Sequence, residues 1–583
     1  MGGTTMSIRP LAKNLCRKKS FFGAGDLLAS LGSRIKIGQN CPWLRCSSVT
    51  QPAELPPSRL APENFDSIFS ANLFGKGSKH FILTGIGFFL LASELPAADA
   101  VKRAPTQEAV KRPNIILVMT DDQGWGDVGY NGHPLLKTPN LDAAARSGLR
   151  FDRFYAAAPS CSPTRASVLT GRHPNRMGVF SWGMPIRPQE VTLAEVLKRE
   201  GYVTGHFGKW HLGSVRADSP VSPGANGFDR WVSATNYYDL NPEMSDEGKE
   251  VRLEGEGSVA TVDVAMEWLR EKAAGEAPIF AVIWFGSPHF PRQAAPEDLA
   301  LYANEPKRIR EYLGEITGVD RAFGHLRDGL SGLGIRDNTV LWFNSDNGAM
   351  PIGDSGGSRG AKHTLYEGGL RVPAFIEWPL GIPAPVSSPV RCCTTDIFPT
   401  ILDLVGAADP GVPVLDGISL VPLIHGEMAM RPTPLGFWNA GIPGHFTNPA
   451  GVLTKVIPTD EHWSDTKIER VTRRVEKIPR QKFPEDVYAG HSAWISGDWK
   501  LLRYSATDGG NIRWNLYNLA NDPQEKIDVS KDYPEIVTDL KVAMEKWLAS
   551  VVRSLDGADY REGIPATDGS TSTEARSPTA FRQ

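Results

Sequence analysis

The chain has 583 residues, 41% of them hydrophobic and 22% charged, a composition that excludes a fibrous or wholly disordered chain and leaves room for several domains of roughly 100–200 residues. The formal net charge is −3, with a basic excess in the first 100 residues and an acidic excess after them, so the body lacks the basic footprint of a nucleic-acid binder. No apolar run reaches the roughly 18–20 residues that a membrane span needs.

Residues 1–75 read as irregular, with a Pro/Ser-rich stretch around Pro52–Pro62. A basic flank (Lys76, Lys79, His80) then precedes the uncharged run Phe81–Ala92, and Ala98-Asp99-Ala100 supplies small residues at a cleavage spacing. These three parts make residues 76–100 a secretory signal peptide, too short to span a bilayer. Its distance from Met1 suggests a true start near Leu73, with residues 1–72 never made. The rival reading is a buried core segment. Cys16, Cys41 and Cys46 precede the cleavage, so the mature chain keeps Cys161, Cys392 and Cys393. Three is an odd number for a disulfide framework, and the adjacent Cys392 and Cys393 read as small buried apolar residues.

In the mature chain, short apolar runs alternate with helical patterns. Strands are expected at Asn114–Thr120, Tyr202–Phe207, Pro278–Phe285 and Thr339–Asn344. Thr192 to Glu195 form a capping box that opens a helix to Glu200. A helix is expected over Val259–Ala273, and a long amphipathic one carries Ile309, Tyr312, Leu313, Ile316, Val319, Phe323, Leu326 and Leu330 on one face. This order implies an α/β catalytic domain over 101–430, with a mostly parallel sheet between helices. From about residue 430 the character changes. Strands at Tyr488–Ser505 and Trp514–Leu519, Gly-rich turns at Gly509-Gly510 and a helix at Val537–Val551 predict a smaller antiparallel α+β subdomain over 431–560. Residues 561–583 read as a Ser/Thr-rich disordered tail.

A polar cluster follows each of the four catalytic-domain strands. Asp121-Asp122 follows the first, Lys209 and His211 the second, His289 the third and Asp346-Asn347 the fourth. Ligands of open parallel sheets bind beyond the carboxyl ends of strands, so these residues are expected on one rim. Each cluster alone has a plainer account: an Asx turn for Asp121-Asp122, a turn for Asp346-Asn347-Gly348, a solvated charge for Lys209, a loop histidine for His289. Together, the oxygen donors of Asp121, Asp122, Asp346 and Asn347 favour a hard cation, Ca²⁺ or Mg²⁺. Cys161 opens a segment with Pro163 suited to a first helical turn and Arg165 four residues on, near a helix start that favours anions. Cys161 reads either as an activated thiol or as a structural buried one.

The segment Cys161–Arg172 resembles the signature of the type I sulfatases, C-x-P-[ST]-R-x(4)-T-G, and Gly208–Gly213 resembles their second signature. Asp121-Asp122, Pro288-His289-Phe290, Asp346-Asn347-Gly348, Lys362 and Tyr366–Pro373 follow in the family's order, so the likeness covers about residues 112–550. It implies an alkaline-phosphatase-like fold and the oxidation of Cys161 to formylglycine by a formylglycine-generating enzyme. By position, Asp121, Asp122, Asp346, Asn347 and residue 161 would bind one calcium ion. Arg165 and Lys209 would flank the aldehyde hydrate, His211 would hydrogen-bond to it, Lys362 would contact the sulfate and His289 would protonate the leaving oxygen. One hydroxyl of the hydrate would attack sulfur. The second would let the aldehyde re-form and release sulfate, which an ordinary Ser or Cys could not do.

The implied enzyme is an exported hydrolase of sulfate monoesters, periplasmic, extracellular or lysosomal, acting on a sulfated glycan or a small aryl sulfate. The alternatives are a phosphatase, phosphodiesterase or phosphonate hydrolase on the same scaffold, and a non-catalytic sulfoglycan-binding relative. The segments Phe180–Arg187, Val232–Glu250 and Trp438–Phe483 are expected to shape the pocket. Their aromatic residues Trp182, Tyr237, Tyr238, Trp438 and Trp463 would either stack on sugar rings or pack internally.

Overall fold

The structure is a computed structural model describing residues 112–238, 240–382, 384–407, 411, 414–441, 488–505 and 511–560, all within the unit Arg103–Gln583. The expected N-terminal leader, Gly509-Gly510, Trp463 and the 561–583 tail lie outside these residues. Among the described residues no helix is long and apolar enough to cross a membrane.

The first strand, β1 (Asn114–Thr120), explains the centre of the fold. Its run NIILVMT is apolar without alternation, the mark of a strand covered on both faces. Ile115, Leu117 and Met119 enter one core, while Ile116 and Val118 enter another on the opposite face, as the two-residue period of a strand requires. It lies parallel between β7 (Ile279–Trp284) and β8 (Thr339–Ser345), pairing Ile115 with Phe280 and Thr120 with Ser345. β7 pairs in turn with β3 (Val203–Lys209), and β3 with β4 (Arg230–Ala234), both in parallel.

Antiparallel strands extend this parallel centre. β10 (Ala374–Glu377) joins β8 to β2 (Leu149–Tyr155), while β5 (Glu243–Asp246) and β6 (Lys249–Arg252) continue from β4. β11 (Val386–Cys393) lies parallel to β2 with a register shift between Ser388 and Arg391, where Pro389 cannot donate to the ladder. The short β9 (Arg371–Val372) also pairs with β2. The order is β11-β2-β10-β8-β1-β7-β3-β4-β5-β6, in an 11-stranded sheet.

The expected helices form close to their predicted limits. Thr192 and Glu195 make both bonds of the capping box ahead of Leu193–Arg199. The long helix runs Lys307–Gly332 and buries the predicted face from Tyr312 to Leu330. A second sheet, with order β12-β13-β14-β15, is antiparallel. Its strands are β12 (Leu435–Asn439), β13 (His491–Ser496), β14 (Trp499–Tyr504) and β15 (Arg513–Asn518). One face packs on the helix Pro534–Leu555 through Leu501, Leu516, Met544 and Leu548. The other packs on Tyr155, Leu365 and Leu370 through Phe437, Ala493 and Leu502. The predicted fold class, α/β with a smaller C-terminal antiparallel subdomain, is therefore the one observed.

A buried charge triad fastens the second sheet to the first. Lys500 of β14 is fully buried and sits 2.9 Å from both Glu367 and Glu525. Glu367 also accepts a 2.9 Å bond from Tyr155 Oη of β2, and Glu525 accepts one of 2.6 Å from the Glu367 backbone. Removing one partner of a buried ion pair typically costs ~3–5 kcal/mol, because the remaining charge is stranded away from water. Replacing Lys500 with Met should therefore lower the unfolding free energy by about that amount. Urea titration will check it, and an unchanged midpoint would contradict the role given to the triad.

Candidate functional site

The strand order brings the ends of β8, β1, β7 and β3 side by side, and so gathers the four polar clusters on one rim. Backbone bonds stitch the ends together. Asp121 N donates to Ser287 O at 3.0 Å and Asp346 N to Thr120 O at 3.1 Å. Asp122 has φ 66°, a left-handed turn that Asp tolerates better than most residues, and its N–H meets Asp346 Oδ1 at 3.1 Å.

The helix Cys161–Thr170 delivers the signature residues, and all ten of its side chains are buried. Pro163 falls in the first turn, where a missing N–H leaves no helical bond unmade. Gly171 ends the helix at φ 69° and its N–H bonds to Ser167 O, the left-handed cap that favours glycine. The Thr-Gly of the signature is thus a helix stop.

Cys161 Sγ lies 3.4 Å from Asp121 Oδ1 and 3.3 Å from Lys362 Nζ. Lys362 also pairs with Asp122 at 2.6 Å. Arg165 Nη2 meets Asp346 Oδ2 at 2.8 Å, and its Nη1 donates to Lys209 O at 3.2 Å. The guanidinium stacks 5.1 Å from the Trp284 ring. Lys209 Nζ pairs with Asp121 Oδ2. His289 Nδ1 donates to Phe290 O at 2.6 Å, leaving Nε2 3.6 Å from Asp122 Oδ2, and the ring stacks on Tyr238 with centroids 4.7 Å apart. His211 is buried, and its Nδ1 has no hydrogen-bond partner among the described residues.

These contacts set the charge states. Burial works against the Asp121 carboxylate, yet Lys209, His289, Arg165 and Lys362 hold it well below the usual range. Burial, then the neighbouring Asp121, pushes Asp346 up to about 7 despite Arg165. Burial, then Asp121, pushes the Cys161 thiol well above its ordinary value. His211 is held neutral by burial, then by Lys209 and Arg165, and burial lowers His289 to about 4.

Asp121, Asp122, Cys161, Arg165, Lys209, His289, Asp346, Asn347 and Lys362 are joined by these contacts, while His211 is linked to them only through their charges. Donor atoms of Asp121, Asp122, Cys161 and His289 lie within 4.8 Å of one another. Asn347 Nδ2 donates to Asp122 Oδ1 at 2.8 Å, while Asn347 Oδ1 is buried with no partner among the described residues. An unpaired acceptor beside carboxylates fits a hard cation, since a buried oxygen without a donor is costly. The aromatic expectations divide. Tyr237 and Trp438 are buried packing residues, whereas Tyr238 stacks on His289 and Trp182 is 43% exposed. The support of Arg165 by Trp284 was not expected; a tryptophan closing a buried strand gave only a packing signal. Cys161, Cys392 and Cys393 are free and buried, as expected for the latter two.

Comparison with known proteins agrees with this geometry. The family model described as Sulfatase matches residues 113–407. The chain is 35% identical over 368 residues to N-acetylgalactosamine-6-sulfatase of Canis lupus familiaris, covering 56% of this chain and 68% of that one. It is 34% identical over 374 residues to an ulvan-active sulfatase of Formosa agariphila, covering 60% and 70%. Among solved structures, Ps i-CgsB in complex with k-i-k-neocarrahexaose superposes with a TM-score of 0.61 at 27% identity, over 75% of this chain and 93% of the other. The chain belongs to the sulfatase family and is a sulfuric ester hydrolase.

Proposed function

We propose that this enzyme hydrolyses sulfate monoesters of carbohydrates, with residue 161 converted to formylglycine by a formylglycine-generating enzyme and one calcium ion beside it. The observation that carries this reading is the contact of Cys161 Sγ with both Lys362 and Asp121 in a fully buried cluster. Asp121, Asp122, Asp346, Asn347 and residue 161 would hold the ion. When present, the two groups supply charge neutralisation and an oxygen nucleophile whose second hydroxyl permits sulfate release.

The chain's own residues do the rest. Arg165, Lys209 and Lys362 oppose the charge that builds on the sulfuryl oxygens, and one such preorganised donor is worth roughly 3–4 kcal/mol. The free Nδ1 of His211 offers a hydrogen bond to the nucleophile. His289 gives its Nε2 proton to the departing alcohol oxygen, with its ring fixed by the bond from Nδ1 to Phe290 O. The bound ester anion supplies the negative charge that favours the protonated imidazole.

A carbohydrate is favoured because matched relatives are named for sulfated sugars or solved with an oligosaccharide. Phe290, 68% exposed beside His289, offers an apolar face to a sugar ring. Trp182 lies in a loop whose Gly183 N donates to Ser162 Oγ at 2.7 Å, one residue from Cys161. Residues 101–430 would be the catalytic domain and 431–560 its subdomain, in an enzyme exported by the leader at 76–100.

Replacing Cys161 with Ser should abolish multiple turnover and leave a sulfated enzyme visible by intact mass. Full steady-state activity in that variant would overturn the formylglycine reading. Chelation should remove activity, and calcium should restore it where zinc does not; chelator-resistant turnover would exclude the ion. His289→Ala should slow phenyl sulfate by about 10²–10⁴-fold and p-nitrophenyl sulfate far less, because the better leaving group needs no proton. Equal losses would remove the acid role. Aryl phosphate hydrolysed faster than aryl sulfate would favour the phosphatase alternative.

A further inference from the structure

Glu315 sits in the middle of the helix Lys307–Gly332 and is only 2% exposed. A carboxyl so placed is costly unless its oxygens are used, and burial, chiefly, pushes it well above the usual carboxylate range. Its partners lie on the loop that carries His289. The Ser287 side chain, two residues before the imidazole, neighbours the Glu315 carboxyl and favours the charged form. Its Oε1 accepts the Gln293 backbone N–H at 2.6 Å, four residues after. One buried side chain therefore holds the Gln293 end of the segment and neighbours its Ser287 end.

Other contacts lead from the same clamp to His289. The Gln293 side chain accepts the Leu240 N–H at 3.1 Å, which ties the loop to the segment whose Tyr238 stacks on the imidazole. At the loop's entry, Gly286 runs so close to this segment that a Cβ there would lie 2.1 Å from Tyr237 O. Arg292 Nε donates to Pro288 O at 2.9 Å, with its guanidinium 4.9 Å from the Tyr312 ring on the same helix as Glu315. Ser287 O in turn accepts the Asp121 N–H, which links the clamp to the carboxylate beside Cys161.

We propose that Glu315 is a positioning residue for sulfate ester hydrolysis. By anchoring the Gln293 backbone it fixes His289 where its proton reaches the leaving oxygen. This rests on the reading of His289 as the acid. Glu315 touches no reacting atom, so its loss should appear only where proton delivery limits the rate.

The test uses the mature enzyme and compares phenyl sulfate with p-nitrophenyl sulfate in Glu315→Leu, Glu315→Gln, His289→Ala and the double variant His289→Ala/Glu315→Leu. Glu315→Leu is close in volume but cannot accept a hydrogen bond. It should lower kcat for phenyl sulfate by about 10²-fold, the order expected when a catalytic group is misplaced by an ångström, and leave p-nitrophenyl sulfate nearly unchanged. Glu315→Gln keeps an acceptor for Gln293 N–H and should restore most of the loss. The double variant should be no slower than His289→Ala on phenyl sulfate. Equal losses on both esters in Glu315→Leu, or full additivity in the double variant, while His289→Ala separates the esters, would overturn the clamp and leave the acid reading standing. Equal losses in His289→Ala itself would overturn the acid reading and the clamp with it. If Glu315→Leu does not fold, Glu315→Met likewise offers no acceptor to Gln293 N–H and should show the same ester-selective loss; an equal loss there would overturn the clamp.

Discussion

Three carboxylates and three cationic side chains share the centre of this protein with almost no access to water, and each finds an opposite. Asp121 meets Lys209, Asp122 meets Lys362 and Asp346 meets Arg165. Charges removed from water are tolerated only when paired in good geometry, so the site cannot form piecemeal. β1, β3 and β8, the signature helix and the loop bearing Lys362 must all be in place before all six groups are paired. The same balance suits a calcium ion and an anionic ester, the two charged guests proposed for the site: the dication relieves the crowded carboxylates, and the lysines and arginine so released face the anion.

Much of this was legible in the sequence because the central strands are covered on both faces. Near-continuous apolar runs mark them, and polar residues directly after each run mark the rim. The order that sets β1 between β8 and β7, with β3 beyond, was visible only in the fold. The edges were less legible. β2 reads LRFDRFY, with charged residues interrupting its apolar ones, and β11 contains Pro389. β3 runs two residues past its predicted end because Gly208 and Lys209 carry no strand signal of their own, although pairing with β7 and β4 draws them in.

Glu315 shows a different kind of illegibility. A glutamate within a long helix ordinarily faces solvent, yet Glu315 shares its helix face with the buried Tyr312 and Val319. Only the tertiary approach of Ser287–Gln293 gives its carboxyl partners. The aromatic residues offer the same lesson in reverse. Tyr237 and Tyr238 are adjacent and chemically identical, yet one fills the core through a 2.9 Å bond to Thr261 and the other leans on His289. Composition cannot say which of the two faces the pocket.

The complete burial of Cys161–Thr170 also sets an order of events. A modifying enzyme needs the segment extended and reachable, and once Thr170 and Gly171 have closed the helix against the sheet its sulfur is sealed from any macromolecule. If residue 161 is converted as proposed, that edit would have to precede closure of this helix. On that proposal, a molecule that folded first would keep this architecture around an unconverted thiol.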